Sequence, residues 1–211
     1  MRSYNQHCGL AKALDVVGDR WTLLIVRELL IRKACRYTDL QKGLPGIATN
    51  LLADRLRDLE AADIVVREEA PPPVATTLFK LTPRGKALEP AMLALGLWGA
   101  PLLERGAKGV ETQAHWLVLP LKIFLTDRRP KDPGVSVEIR AGNETIAVDV
   151  SGGVVDVRVG ASRHPDAVVS GKPDKLLAVF IGKLNPKAAG VDWQGPIEIL
   201  ERIVGRPSVP S

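Results

Sequence analysis

Residues 49–60, TNLLADRLRDLE, decide how the first half of this chain folds. Leu52, Leu56 and Leu59 recur at i, i+4 and i+7, which is the spacing of one apolar face of a helix. At about 100° per residue, the opposite face carries Asn50, Asp54 and Arg57. The stretch therefore predicts an amphipathic helix with one face in a core. Its short polar face suits a DNA groove, and it also suits plain solvent.

The segments before this helix predict three others. Residues 9–17 have helical apolar spacing and end at Gly18, and residues 21–30 are apolar on nearly every side, which indicates a central buried helix. Residues 37–43 predict a short helix, and a Pro-Gly turn follows it. Together these elements predict a helix-turn-helix, in which the second helix enters the major groove and the first crosses the DNA backbone.

The segments after the helix predict a wing and a long helix. Residues 64–69 and 76–81 are typical of two strands, and the prolines of residues 70–75 belong in the loop because they cannot donate to a ladder. Thr82 is a predicted N-cap with Pro83 at the first helical position. That helix is expected to run through Leu88, Met92, Leu95 and Trp98. Its excess apolar surface favours a dimer contact.

Composition limits the class of protein. The 211 residues, 45% hydrophobic and 25% charged, are typical of one or two globular domains. The net charge of +5 is compatible with a polyanionic partner but mild for one. Two cysteines argue against a disulfide framework, and the N-terminus has no apolar signal region. We therefore expect a cytoplasmic protein with no membrane partner.

The second half predicts a separate α+β domain. Residues 135–140, 145–150 and 155–159 alternate apolar and polar side chains, as a meander with one buried face does, and residues 166–170 offer another strand. Residues 172–184 and 197–204 predict helices. The small, polar residues around position 110 suggest a hinge. The predicted domains are therefore 1–106 and 115–211, with a linker at 107–114.

Several motifs of the first half, taken in order, resemble the HxlR family of winged-helix transcription regulators. They are Cys8, Ala13 to Ile25 (ALDVVGDRWTLLI), Leu44-Pro45-Gly46-Ile47, Asn50-Leu51-Leu52, Arg55-Leu56, Leu59-Glu60 and Leu81-Thr82-Pro83-Arg84-Gly85. The resemblance covers about residues 8–100. It implies homodimers that bind near-palindromic double-stranded DNA operators.

One departure from the family concerns the start of the recognition helix. The family usually reads Gly-Ile-Ser-Pro-Asn, whereas this chain reads Gly46-Ile47-Ala48-Thr49-Asn50. The usual N-cap hydroxyl is absent, so we expect Thr49 to replace it and the helix to start one residue later. The first base contact depends on that start.

Residues 115–204, and especially Gly182-Lys183-Leu184-Asn185-Pro186, resemble the sterol-carrier-protein type 2 fold. The resemblance implies a sheet with helices around an apolar tunnel, and hence a lipid-like effector. An alternative is that these apolar faces only form a core or a dimer contact, since hydrophobic pattern does not distinguish a tunnel from a packed core.

The candidate DNA contacts are of two kinds, residues that read bases and residues that contact the phosphate backbone. Asn50, Arg55 and Arg57 are candidate base readers, because Asn pairs with adenine and Arg with guanine; Arg57 is the strongest, since Arg55 has the alternative of an ion pair with Asp39, Asp58 or Glu60. Thr49 is the candidate at the helix start. The candidate phosphate contacts are Arg36, Thr38 and Lys42, and the candidate contacts of the wing are Arg67 and Lys80. For each phosphate or wing candidate, the alternative is a charged side chain that only faces solvent.

Cys8 is a candidate redox sensor, because a helix start lowers a thiol pKa and cysteines at this place in the resembled family sometimes sense oxidants. His115 and His164 lack partners at metal-ligand spacing, and no nucleophile elbow, phosphate loop or dinucleotide fingerprint is present. The sequence thus predicts no metal, no cofactor and no catalytic site. The alternative to a regulator is an apolar-ligand carrier whose winged helix serves as a dimerisation or protein-interaction module.

Overall fold

The computed structural model describes residues 3–71, 76–105 and 112–204, with the backbone alone at 104 and 105. The chain divides into two compact units, residues 1–92 (unit 1) and 93–211 (unit 2). Most of the predicted linker and most of the wing loop lie outside the described residues, so the predicted domain bounds stay a prediction. Among the described helices, none is long and apolar enough to cross a membrane.

Unit 1 has the predicted helix order. Its elements are α1 (Gly9–Val17), α2 (Thr22–Arg32), β1 (Ala34–Cys35), α3 (Tyr37–Gly43), α4 (Thr49–Ala61), β2 (Val65–Glu69), β3 (Thr77–Leu81) and α5 (Pro83–Lys86), and α6 (Glu89–Gly99) begins in it. The helix-turn-helix and both wing strands are therefore confirmed. The two-residue strand β1 was not predicted, because it is too short to show any periodicity.

The leucine stripe of α4 holds unit 1 together. Leu52, Leu56 and Leu59 are each at most 1% exposed. They belong to the same buried cluster as Ile25 and Leu29 of α2, which are equally buried. Burying one such side chain contributes about 1.5–3 kcal/mol relative to leaving it in water. The apolar period of residues 49–60 thus fixes which face of α4 points away from the protein.

The wing is a three-stranded antiparallel sheet in the order β1-β3-β2. β2 and β3 pair from Val65 with Leu81 to Glu69 with Thr77. After β3, the Thr82 hydroxyl accepts a bond from the Gly85 backbone N–H at 3.0 Å, so the predicted N-cap is confirmed.

The single long helix predicted after Thr82 is wrong, since the chain forms two helices, α5 and α6, separated at residues 87–88. Pro90 explains the break. Its nitrogen carries no hydrogen for the Lys86 carbonyl, and its ring would collide with that carbonyl in a continuous helix. In α6 the proline occupies the first turn instead, where no intrahelical donor is missed.

Unit 2 is an α+β fold, as predicted. After a 3₁₀ helix at Ala100–Arg105 and another at Ala114–Leu117, its elements are α7 (Val118–Phe124), β4 (Val135–Ala141), β5 (Glu144–Ser151), β6 (Val154–Val159), β7 (Ala167–Ser170), α8 (Pro173–Phe180), α9 (Pro186–Ala189), β8 (Asp192–Gln194) and α10 (Ile197–Ile203). The strand order is β6-β5-β4-β7-β8, antiparallel except for the β4–β7 pair. The meander and the fourth strand are confirmed.

Two details of unit 2 differ from the prediction. The helix expected over 172–184 ends at Phe180, because Gly182 adopts φ +72°, a left-handed conformation that ends a helix. The short elements α9 and β8 were not predicted; Asn185 is the N-cap of α9, and its side chain accepts from the Ala188 N–H at 2.8 Å.

The two faces of the five-stranded sheet differ in polarity. One face is apolar and fully buried, with Val137, Ile139, Ile146, Val148 and Val169 at 0% exposure. The other carries Ser136, Glu138, Asp149 and Arg158, and the β6–β7 connection crosses it, where the Ser162 N–H donates to Glu138 at 3.1 Å. Both faces of the central strands are therefore covered, which period-2 patterning alone did not indicate.

A buried ion pair joins α10 to the segment before the sheet. Arg202, 4% exposed, donates through Nε to Asp127 Oδ1 at 2.9 Å and through Nη1 to the Pro133 carbonyl at 2.6 Å. Asp127 also accepts from the Gly153 N–H at 3.0 Å. These bonds hold the pKa of Asp127 near 2, the Arg202 guanidinium being the largest cause. Such a pair fixes the geometry of unit 2.

Candidate nucleic-acid interface

Two side chains of α3 hold the beginning of α4. The Tyr37 hydroxyl donates to the Thr49 carbonyl at 2.6 Å, and Gln41 Nε2 donates to Thr49 Oγ1 at 3.0 Å. Both residues lie one turn apart on α3, so one face of that helix faces the first turn of α4. The angle between the two helices of the motif therefore depends on contacts with Thr49.

Thr49 is not the N-cap, so that expectation is wrong. Ala48 occupies the cap position without a side-chain bond, and α4 begins at Thr49. The threonine hydroxyl is instead used as the acceptor for Gln41, which removes it from capping. In the next position, Asn50 Oδ1 accepts from the Leu51 N–H at 2.9 Å and occupies one donor of the uncapped turn.

A polar stripe runs along α4 opposite the buried leucines. Asn50, Asp54 and Arg57 recur at i, i+4 and i+7, and all are exposed. The Arg57 side chain is 67% exposed, and its Nη2 donates to Asp54 Oδ1. Two of the three predicted readers, Asn50 and Arg57, thus share this stripe. Asp54 lies between them.

Arg55 lies off the stripe, at the edge of the core. Its side chain is only 21% exposed, and Nη1 contacts Asp58 at 2.7 Å and Asp19 at 3.0 Å. It lines a cavity of about 570 Å³ together with residues of the N-terminal arm, including Tyr4. The ion pair with Asp58 was the alternative stated for Arg55, and base readout by this side chain stays a prediction.

The phosphate candidates of α3 are exposed. Arg36 is the N-cap residue, and its backbone N–H donates to Asp39 Oδ2 at 3.1 Å. Thr38 and Lys42 follow at i and i+4 spacing on one side of α3. Their positions suit a helix that crosses the DNA backbone, and the contacts stay predictions.

Both wing candidates form ion pairs within unit 1. Arg67 donates through Nε and Nη2 to the two oxygens of Glu60 at 2.5 and 2.6 Å, and its guanidinium lies 5.5 Å from the centre of the Phe79 ring. The hydrogen bonds to Glu60 raise the pKa of Arg67. Lys80 Nζ lies 2.5 Å from Glu68. Phosphate contact by either side chain would exchange one anion for another.

The two cysteines have opposite environments. Cys8 is exposed at the N-cap of α1, where the backbone N–H groups of Ala11 and Leu10 lower the pKa of its thiol. Cys35, 1% exposed on β1, is surrounded by the core, and burial raises its pKa to about 12. The thiol of Cys8 therefore ionises more readily than that of Cys35.

Sequence reasoning did not predict the roles of four side chains. Tyr37, Gln41 and Asp54 act through partners elsewhere, and a single sequence carries no signal for those pairings except the helical spacing that puts Asp54 on the outer face. The fourth, Glu28, is fully buried on α2 and pairs with Arg27 at 2.9 Å, at a position that resembled plain core.

Comparison with known proteins agrees with this geometry. Residues 16–107 match the profile of the HxlR-like helix-turn-helix family. The regulator named YvaP of Bacillus subtilis (strain 168) is 31% identical over 93 residues, which is 44% of this chain and 85% of that protein. The chain belongs to the HxlR-like helix-turn-helix family. In this HxlR-like protein, α3 and α4 are the helix-turn-helix and β2 and β3 the wing.

Other known proteins each match part of the HxlR-like chain. The regulator sll1512 of Synechocystis sp. is 33% identical over 99 residues, 46% of this chain and 72% of that protein. Reduced YodB from B. subtilis, a solved structure, covers 48% of this chain and 100% of its own, with 28% identity and a TM-score of 0.42. Residues 133–193 match the SCP-2 sterol transfer family, within unit 2.

Within the described ranges, the structure brings no three His, Cys, Asp or Glu side chains together as a metal site. His115 is buried against Glu144, with Nδ1 3.1 Å from a carboxylate oxygen. On the described surface of α4 and the wing, Arg57, Arg67 and Lys80 each pair with a carboxylate of unit 1.

Proposed function

We propose that this HxlR-like protein is a transcriptional regulator that binds a near-palindromic operator as a homodimer, with α4 in the major groove. The polar stripe of α4 carries the proposal, since it lies opposite a fully buried leucine stripe and so must face outward. Asn50 and Arg57 are the proposed base readers, with Arg36, Thr38 and Lys42 on phosphates and Arg67 and Lys80 on the wing.

Fluorescence anisotropy with promoter-region and random duplexes tests this proposal. The logarithm of the affinity should fall linearly with the logarithm of salt, by about 0.9 for each phosphate contacted. Arg57→Ala should weaken specific binding by about 5- to 100-fold and leave binding to random DNA nearly unchanged. Lys187→Ala, an exposed cation of unit 2, is the matched control. Equal binding to both duplexes at every salt concentration would contradict the proposal.

The proposed homodimer is supported by exposed apolar side chains. Leu95 and Trp98 of α6 and Leu102 and Leu103 of the following 3₁₀ helix are all at least 51% exposed, and α6 has no fully buried residue. A patch of this kind is costly to leave in water. Sedimentation of wild type and Trp98→Glu should show a dimer that the substitution dissociates, and a monomeric wild type would contradict the interface.

A second candidate function concerns unit 2, whose match to the SCP-2 sterol transfer family supports binding of an apolar ligand. The alternative carrier reading predicts this binding with little salt dependence. A fluorescent fatty acid should be taken up by the full-length protein and displaced by unlabelled fatty acid. If uptake also shifts operator affinity, the ligand is an effector of the regulator. Uptake with no effect on DNA binding would favour the carrier.

Cys8 is the proposed redox-sensitive residue, supported by its exposure and lowered thiol pKa. Reaction with a disulfide reagent near neutral pH should modify Cys8 well before Cys35, whose thiol is buried and protonated. Cys8→Ser is the control for any change in operator affinity after oxidation. Sensing requires that wild type loses or gains affinity on treatment while this variant does not.

A further inference from the structure

Asp54 lies between Asn50 and Arg57 in the polar stripe of α4, which is the outer stripe of this helix. Its side chain is 52% exposed, lies one turn after Asn50 and accepts a bond from Arg57. Because the leucines of α4 face the core, this carboxylate lies on the face of α4 that points away from the protein. An anion at the middle of a recognition helix is unfavourable near phosphates, so its presence there constrains the bases that the helix accepts.

The major groove offers few partners to a carboxylate. Guanine presents two acceptors and thymine an acceptor and a methyl group, whereas cytosine presents an N4 amino donor and adenine an N6 amino donor beside its N7 acceptor. A carboxylate can accept from either amino group, but at adenine it also meets the neighbouring N7 acceptor, which repels it, as do the acceptors of guanine and thymine. Asp54 therefore favours cytosine among the bases that it can reach.

Arg57 suits guanine, the partner of cytosine, because its guanidinium can donate to guanine O6 and N7. The bond from Asp54 restrains one end of this long side chain and leaves the other donors of the guanidinium to face outward. Restraint before binding reduces the rotamer entropy that docking would otherwise cost. The two residues also lie three positions apart on one face, about 4.5 Å along the helix axis.

We propose that Asp54 and Arg57 read DNA as one unit that selects a G·C pair, Arg57 by bonding the guanine and Asp54 by positioning Arg57 and accepting from a cytosine amino group. Asp54 is thus a specificity-determining residue of the recognition helix. This proposal rests on the proposed function, because it presupposes that α4 enters the major groove.

Selection from a random duplex library, followed by sequencing, tests the unit with full-length wild type, Asp54→Asn and Asp58→Asn. Asp58 is the matched control, since it is also an exposed carboxylate of α4 in an i,i+3 pair with an arginine, but it lies off the outer stripe. Asp54 is exposed, so its substitution should leave the fold intact, and a thermal melt checks this.

The expected result is a wild-type motif with a G·C preference in each half-site that Asp54→Asn reduces about 5- to 100-fold, while Asp58→Asn preserves it. Asp54→Asn should also bind random DNA more tightly, because one anion has been removed. An unchanged motif with Asp54→Asn would overturn the reading unit and leave the regulator intact. No enriched motif for wild type would instead overturn the proposed function.

Discussion

Exposed ion pairs on α4 and the wing of unit 1 differ from an enclosed ion pair of unit 2 in what they contribute to stability. On α4 and the wing of unit 1, Arg57 and Arg67 pair with carboxylates while more than half exposed. In unit 2, Arg202 and Asp127 are almost fully enclosed. Exposed pairs contribute about 0–1 kcal/mol to stability, whereas breaking a buried pair costs about 3–5 kcal/mol.

The two kinds of ion pair differ in how freely the arginine can change its partner. An exposed arginine such as Arg57 or Arg67 can leave its carboxylate partner at little cost, because an exposed pair contributes only about 0–1 kcal/mol. Arg202 is instead held in place. Its bonds join α10 to Asp127 and Pro133, which lie 75 and 69 positions earlier in the chain. Exposed pairs are therefore the candidates for recognition, and the enclosed pair is structural.

The largest expected effect is that of Arg202→Ala. It leaves Asp127 buried without its main partner and should lower the free energy of unfolding of unit 2 by about 3–5 kcal/mol. Arg158→Ala is the matched control, because Arg158 pairs with Asp149 in the same unit while 35% exposed, and it should cost about 0–1 kcal/mol. Urea denaturation measures both. Equal losses in the two variants would remove the distinction between enclosed and exposed pairs.

Acid should break the same buried pair from the carboxylate side. Asp127 has a pKa of about 2 in the folded chain against an ordinary value of 3.8, so folding favours its charged form. The resulting stability is complete above pH 4 and is lost as pH falls from about 4 to about 2. Melting temperatures across this window should fall more steeply for wild type than for Arg202→Ala. Parallel curves would show that the pair does not contribute.

The sequence predicted the elements with clear periods and missed what depends on partners. Leu52, Leu56 and Leu59 predicted α4 because burial of one face sets a 3.6-residue period. The capping error at Thr49 arose because its hydroxyl bonds Gln41 of another helix. No pattern in one sequence indicates which side chain of α3 will reach α4.

The candidate site shows the same division. Asn50 and Arg57 were predicted from the outer face of α4, and the structure does place both on that face. The pairing of Arg67 with Glu60, rather than its sequence neighbours, depends on the return of β2 beside α4. Pro90 is a signal for the break that the sequence does carry, since a proline eight positions into a helix begun at Pro83 kinks or breaks it.

A smaller effect is expected when a wing cation is removed. Arg67→Gln should reduce the slope of log affinity against log salt by about one, if Arg67 leaves Glu60 for a phosphate. Stability should change by less than about 1 kcal/mol, because the pair is exposed. Glu60→Gln is the informative counterpart, since it frees Arg67 and should raise affinity. A slope unchanged in Arg67→Gln would confine Arg67 to its pair with Glu60.

The smallest expected effect is that of Tyr37→Phe, which removes only the hydroxyl that donates to the Thr49 carbonyl. One hydrogen bond contributes about 0.5–1.5 kcal/mol, so the first turn of α4 should open about 2- to 10-fold more often. Hydrogen exchange of the Leu52 amide, which donates to the Ala48 carbonyl at 3.0 Å, measures this opening. Tyr4→Phe, at an exposed tyrosine of the N-terminal arm, is the control. If Tyr37→Phe leaves exchange unchanged while Gln41→Met accelerates it, Gln41 holds the helix start, and the two contacts with Thr49 are not equivalent.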